Sequence, residues 1–237
     1  MRWQKLLFAA YRRGDRIKVG GIAAALSALV PLTATHPAQA QNVPRAGDAQ
    51  DSNYVWSVDE LSSKRCELSP EEFAKFFPPL MAWIRATLTA SAHMARPVAS
   101  RGFSRLPFYF SEETLASTKA VLVDPLPIPP LTSMGLARFA DFERGNFDGI
   151  TYMDTFFLKP TQSYNENIYF HELVHVIQWR LLGPDHFLLS YANGLECLGY
   201  RQSPLEAMAY DAETAFASST AIFNVEKLVA EKLPTTR

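Results

Sequence analysis

The chain has 237 residues, with 23 Lys and Arg against 24 Asp and Glu, a formal charge of −1. Apolar residues make up 48% and charged residues 20%, enough to bury a core and too few charges for a wholly disordered chain. No basic excess supports phosphate contacts, so nucleic acid is not an expected partner, and two cysteines exclude a disulfide-dense scaffold or a four-cysteine zinc site.

Residues 1–18 carry six basic side chains, Arg2, Lys5, Arg12, Arg13, Arg16 and Lys18, against Asp15 alone. An uncharged Ala/Leu/Val run from Val19 to Leu32 follows, and then Ala38-Gln39-Ala40. That order is a secretory signal peptide over 1–40, with cleavage expected after Ala40. The alternative is a retained membrane anchor, but the apolar run is shorter than the roughly 20 residues that span a bilayer. The Arg12-Arg13 pair is similar to a twin-arginine signal, but Asp15 and Arg16 stand where such signals are apolar, which favours the ordinary route. Cleavage leaves 197 residues with 17 basic and 23 acidic side chains, a net charge of −6. The expected location is periplasmic or secreted, with no stable membrane insertion. In an oxidising compartment Cys66 and Cys197 are expected to form a bridge.

Residues 41–68 read as a flexible polar leader and 69–237 as one domain. Ser69-Pro70-Glu71-Glu72 starts a helix, Pro78-Pro79 is expected to interrupt it, and a second helical run with Leu80, Ile84, Leu88 and Ala92 is expected to stop at Arg96-Pro97. Residues 97–149 read as irregular. Short strands are expected at Leu106–Phe110 and Val121–Val123, a short helix from Ser111, and an extended loop over Pro125–Pro130. Ile150 to Leu158 alternates between Gly149 and Pro160 and reads as one strand. Asn165 to Leu182 reads as a helix stopped by Gly183-Pro184.

That helix carries His171-Glu172-Leu173-Val174-His175, an HExxH sequence. Composition alone gives about 0.006 chance matches in a chain of this length. Helical spacing of four puts both imidazoles on one face, where they can share a metal ion. Glu172, rotated by roughly 100° from His171, can stand beside the metal without ligating it and take a proton from water. A catalytic zinc site needs a third protein ligand. Glu206, in Ser203-Pro204-Leu205-Glu206, is the first candidate. Its competing role is a capping box with Ser203. Glu213, Glu196, His186, Asp185 and Asp211 are the remaining candidates.

HELVHVIQW followed by SPLEAMAY resembles the zincin metallopeptidases of the gluzincin branch, and small exported bacterial zincin-like domains, over about Gly149 to Glu213. The resemblance implies an α+β fold, mostly helical, with a small sheet whose edge strand precedes the HExxH helix and can bind extended peptide. It implies Zn2+ held by His171, His175 and Glu206, Glu172 as general base, and a peptide or protein substrate. Tyr210 is the first choice for a donor to the oxyanion, with Tyr200, Arg201 and His186 behind it. Asp211 is a candidate to orient a ligand histidine. Two other functions stand beside this one: an exported metal-binding module without peptidase activity, and a zinc amidase acting on a non-protein amide.

Overall fold

The computed structural model describes residues 68–218 and 221–233. The expected signal peptide, nearly all of the leader, and Cys66 lie outside the described residues. The fold is α+β. Helix α1 spans Pro70–Ser91. A short strand β1, Arg96–Pro97, leads through irregular chain to α2, Glu112–Ser117, and β2, Lys119–Leu122. After a long loop come α3, Ala140–Glu143, and the strands β3, Gly149–Tyr152, and β4, Thr155–Leu158. Helices α4, Glu166–Leu198, α5, Pro204–Ala217, and α6, Val225–Lys232, complete it.

Helix α1 begins as expected. The Ser69 hydroxyl accepts from the Glu72 N–H at 3.2 Å, and the Glu72 carboxylate accepts from the Ser69 N–H at 3.0 Å. The folded body also takes in Leu68, which is buried and donates its N–H to Asn193 Oδ1 at 2.9 Å. The expected interruption at Pro78-Pro79 does not occur, since α1 runs through both. Both prolines are exposed, so the carbonyls that lose their N–H partners can turn to water.

The sheet order is β1-β2-β4-β3, with β2 and β4 parallel and the other pairs antiparallel. The expected single strand from Ile150 to Leu158 is therefore two strands joined by a tight turn. Tyr152 faces Thr155 across Met153-Asp154, with Met153 at φ 56°. Such turns favour left-handed residues, and no Asn-Gly or Asp-Gly marks this one. The fold at Met153 reverses the side-chain alternation. Ile150 and Tyr152 pack with one core cluster, and Phe156 and Leu158 with the other. Leu106–Phe108 is a 3-10 turn, not the expected strand, and Leu106 is buried through it.

Helix α4 is the centre of the molecule. Every residue from Tyr169 to Trp179 is buried. Its first arm breaks where expected, at Gly183 (φ 72°, ψ 166°) before Pro184. A second helical arm, not foreseen, then folds back along the first. Trp179 stacks on Phe187 at 4.1 Å between ring centroids, and His175 lies 6.5 Å from Tyr191. This antiparallel return fills much of the 31-residue gap between His175 and Glu206 and brings α5 beside the histidines.

Candidate metal centre

His171 and His175 face the same point from consecutive turns of α4, with their Nε2 atoms 3.2 Å apart. Glu206, on the first turn of α5, enters from the other side. Its Oε2 lies 3.5 Å from His171 Nε2 and its Oε1 lies 3.4 Å from His175 Nε2. Ligand atoms of the three residues all fall within 4.8 Å of one another, and all three residues are buried. The capping role considered for Glu206 is not used: Ser203 makes no side-chain cap bond, and its hydroxyl is buried without a partner.

The far sides of both imidazoles are fixed. His171 Nδ1 is 3.1 Å from Glu213 Oε2, a carboxylate that accepts. His175 Nδ1 is 2.8 Å from Gln178 Oε1. The Gln178 amide is oriented by its own NH2, which donates to the Leu205 carbonyl at 3.0 Å, so its oxygen faces His175. Each Nδ1 is thus placed to carry a proton, which leaves each Nε2 to offer a lone pair to a cation at the shared point. Glu206 Oε2 is buried without a hydrogen-bond partner at the same point. Two lone pairs and a carboxylate oxygen brought together out of water repel one another unless a positive charge joins them. The donor set fits a metal ion.

The titration directions agree. Burial disfavours a charged His171, but the Glu206 and Glu213 carboxylates outweigh it and raise its pKa to about 10. Burial raises Glu206, and His175 and His171 outweigh this and lower it. Positive charge is thus held at this point even by a proton. Glu172 differs. Burial is its largest influence and raises its pKa against the two histidines and Thr151. Thr151, on β3, donates to Glu172 Oε2 at 2.6 Å. A Cβ on Gly149 would stand 2.3 Å from Glu172 Oε1, so only glycine admits the carboxylate this close to the strand.

Tyr191, on the returning arm of α4, donates to Glu206 Oε1 at 2.6 Å, and burial raises its pKa. Tyr210 packs its ring 4.5 Å from that of His171, lies edge-on to the Tyr200 ring at 6.4 Å, and carries the Arg201 guanidinium 4.1 Å over its face. Several sequence candidates stand elsewhere. His186 and Asp185 pair with each other at 3.9 Å on the surface, and Glu196 is exposed. Asp211 does not orient a ligand histidine. It is raised by burial and influenced by Lys232, and Glu213 is the carboxylate on His171. Thr151, Gln178 and Tyr191 carry no local motif. Gln178 alone had a readable signal, since it follows His175 by three residues on the same helix. Among the described residues no cysteine is free. No helix of the described residues is long and apolar enough to cross a membrane. No protein-family model matches the chain, and neither a curated protein nor a solved structure matches it.

Proposed function

We propose that this chain is an exported zinc-dependent hydrolase of the zincin type, cleaving peptide bonds. The observation that carries the reading is the convergence of His171, His175 and Glu206 on one point, with Glu172 held off it by Thr151. Imidazole and carboxylate donors suit zinc. Zinc bound by His171, His175 and Glu206 would act as a Lewis acid that brings the pKa of water toward about 7.

The chain's own groups do the rest. Glu172 takes a proton at its carboxylate during attack of water on the carbonyl, and delivers it to the leaving nitrogen. Its raised pKa suits both directions of transfer, since a carboxylate of ordinary pKa is a weak base and releases its proton too soon. Thr151 keeps the other side of the carboxylate occupied, which fixes its rotation. Glu213 and Gln178 hold the two imidazoles in the tautomer that leaves each Nε2 free to ligate. Tyr210, on α5 with its ring 4.5 Å from that of His171, is the proposed donor to the oxyanion. Among the described residues strand β3 has a neighbour on one side only, and its other edge can pair with an extended substrate.

The test uses the purified full chain, with bound metal measured and a mixed peptide library incubated with wild type and Glu172→Gln. Stoichiometric zinc in both proteins and cleavage by wild type alone is the expected result. Cleavage that survives the substitution overturns the role of Glu172, and absence of stoichiometric metal overturns the site.

A further inference from the structure

We propose that the substrate of this site carries a long hydrocarbon chain, and that the bond cleaved is the amide joining a fatty acyl group to an amine. This rests on the zinc-hydrolase reading above and puts a non-protein amide in place of the peptide as its substrate. A cavity of about 110 Å³, open to solvent, leads away from Glu172, His175 and Glu206. Its polar groups gather at one end, where Thr151, Tyr191 and Tyr200 join the three acidic and imidazole side chains. Beyond them the wall is apolar. Helix α1 contributes Phe76 and Ile84, the loop after β2 contributes Leu131 and Phe139, and the two arms of α4 contribute Trp179 and Leu188. The remaining polar atoms of the wall are withdrawn from it. The Tyr152 hydroxyl donates to the Pro127 carbonyl at 2.7 Å, and Trp179 Nε1 is shut off from solvent.

This lining decides between a peptide and a hydrocarbon. A peptide threaded into the apolar end would lose the water partners of every N–H and C=O and find no replacements. A hydrocarbon has no such groups, and each CH2 it buries strengthens binding up to about fourfold. The acyl chain therefore lies in the cavity, its carbonyl at the histidine end, and the amine portion leaves along the edge of β3. Gly149, which lines the cavity, lets the Glu172 carboxylate lie directly against that strand. In the reaction the oxygen of water bonds to the acyl carbon and the C–N bond breaks. Glu172 carries the proton from water to nitrogen. The products are a fatty acid and an amine, and no further reactant is needed.

The full-chain protein is assayed on N-acylglycines from acetyl to palmitoyl, below micelle-forming concentrations, beside the peptide library. Chelator-treated protein is titrated calorimetrically with myristate. The expected result is a rise in kcat/KM of at least a hundredfold from acetyl to myristoyl, and one myristate bound per chain without metal. Ala192→Phe, which narrows the cavity from α4, is expected to lower the myristoyl-to-acetyl ratio at least tenfold and to weaken myristate binding. Should that variant fail to fold, Leu188→Glu reads the same wall. A flat chain-length series with peptides cleaved overturns the acyl inference and leaves the hydrolase reading standing. Loaded protein that hydrolyses neither set overturns the hydrolase reading. In that case myristate binding sensitive to Ala192→Phe still supports the hydrocarbon site, and its absence overturns it.

Discussion

Glu213 is half-buried at the back of His171 and touches neither the apolar cavity nor the shared ligand point. Its carboxylate nevertheless decides which imidazole nitrogen is free, because it accepts from Nδ1 and leaves Nε2 to ligate. Glu213→Ala is expected to weaken zinc binding about 10–100-fold, as loss of such outer partners commonly does. Competition with a chelator of known affinity measures it, and unchanged affinity would remove Glu213 from the positioning role. At this scale the sequence was most legible where chemistry is local. The two histidines and Glu172 sit within one helical turn, so their spacing alone states the geometry. Glu206 was readable only by supplying a missing ligand, since its local pattern with Ser203 matched a cap equally well. Thr151, Tyr191 and Glu213 reach the site from 20, 16 and 42 residues away from the nearer or partnered histidine, and no periodicity encodes such contacts. They exist because the hairpin, the returning arm of α4 and α5 pack together.

The contact between α4 and α5 sets the distance between the histidines and Glu206. Gly194, on the returning arm, lies against the start of α5. A Cβ there would stand 2.7 Å from Ser203 Cβ and 3.1 Å from Pro204 Cδ. Alanine gains up to about 1 kcal/mol over glycine in helix propensity, whereas overpacking a tight contact costs about 1–3 kcal/mol. The clash wins, and α5 must shift away from α4. Gly194→Ala is expected to lower stability by about 1–2 kcal/mol in denaturant titration and to weaken zinc binding at least tenfold, because Glu206 moves with α5. A stable variant with native metal affinity would show that the packing does not position the ligand. The elements themselves were partly readable. Capping at Ser69 and the break at Gly183-Pro184 follow from backbone chemistry, and both stand in the structure. The hairpin at Met153 was missed because a non-glycine residue takes the left-handed turn there, held by pairing with β2 and the Arg180–Asp154 ion pair at 2.6 Å. The second arm of α4 was missed because its apolar face is defined by the first arm, and that partner is visible only in three dimensions.

At the scale of the whole chain, the expected Cys66–Cys197 bridge would tie the entry of the folded body to the end of α4. Leu68 donates to Asn193 at 2.9 Å. The bridge would close a loop of about 130 residues, worth roughly 3–5 kcal/mol in the chain-entropy account. At about 2–4 °C per kcal/mol for a chain of this size, Cys197→Ser is expected to lower Tm by about 10 °C in oxidising buffer. Reductant should produce the same drop in wild type and none in the variant. Chelation should lower Tm separately in both proteins, since zinc at 100 times its Kd adds about 2.7 kcal/mol to the folded state alone. The metal's contribution acts on the folded chain and the bridge's chiefly on the unfolded one, so the two losses should add. A wild-type Tm indifferent to reductant would reject the bridge, and losses that fail to add would show that it holds the arm of α4 carrying Tyr191 against Glu206.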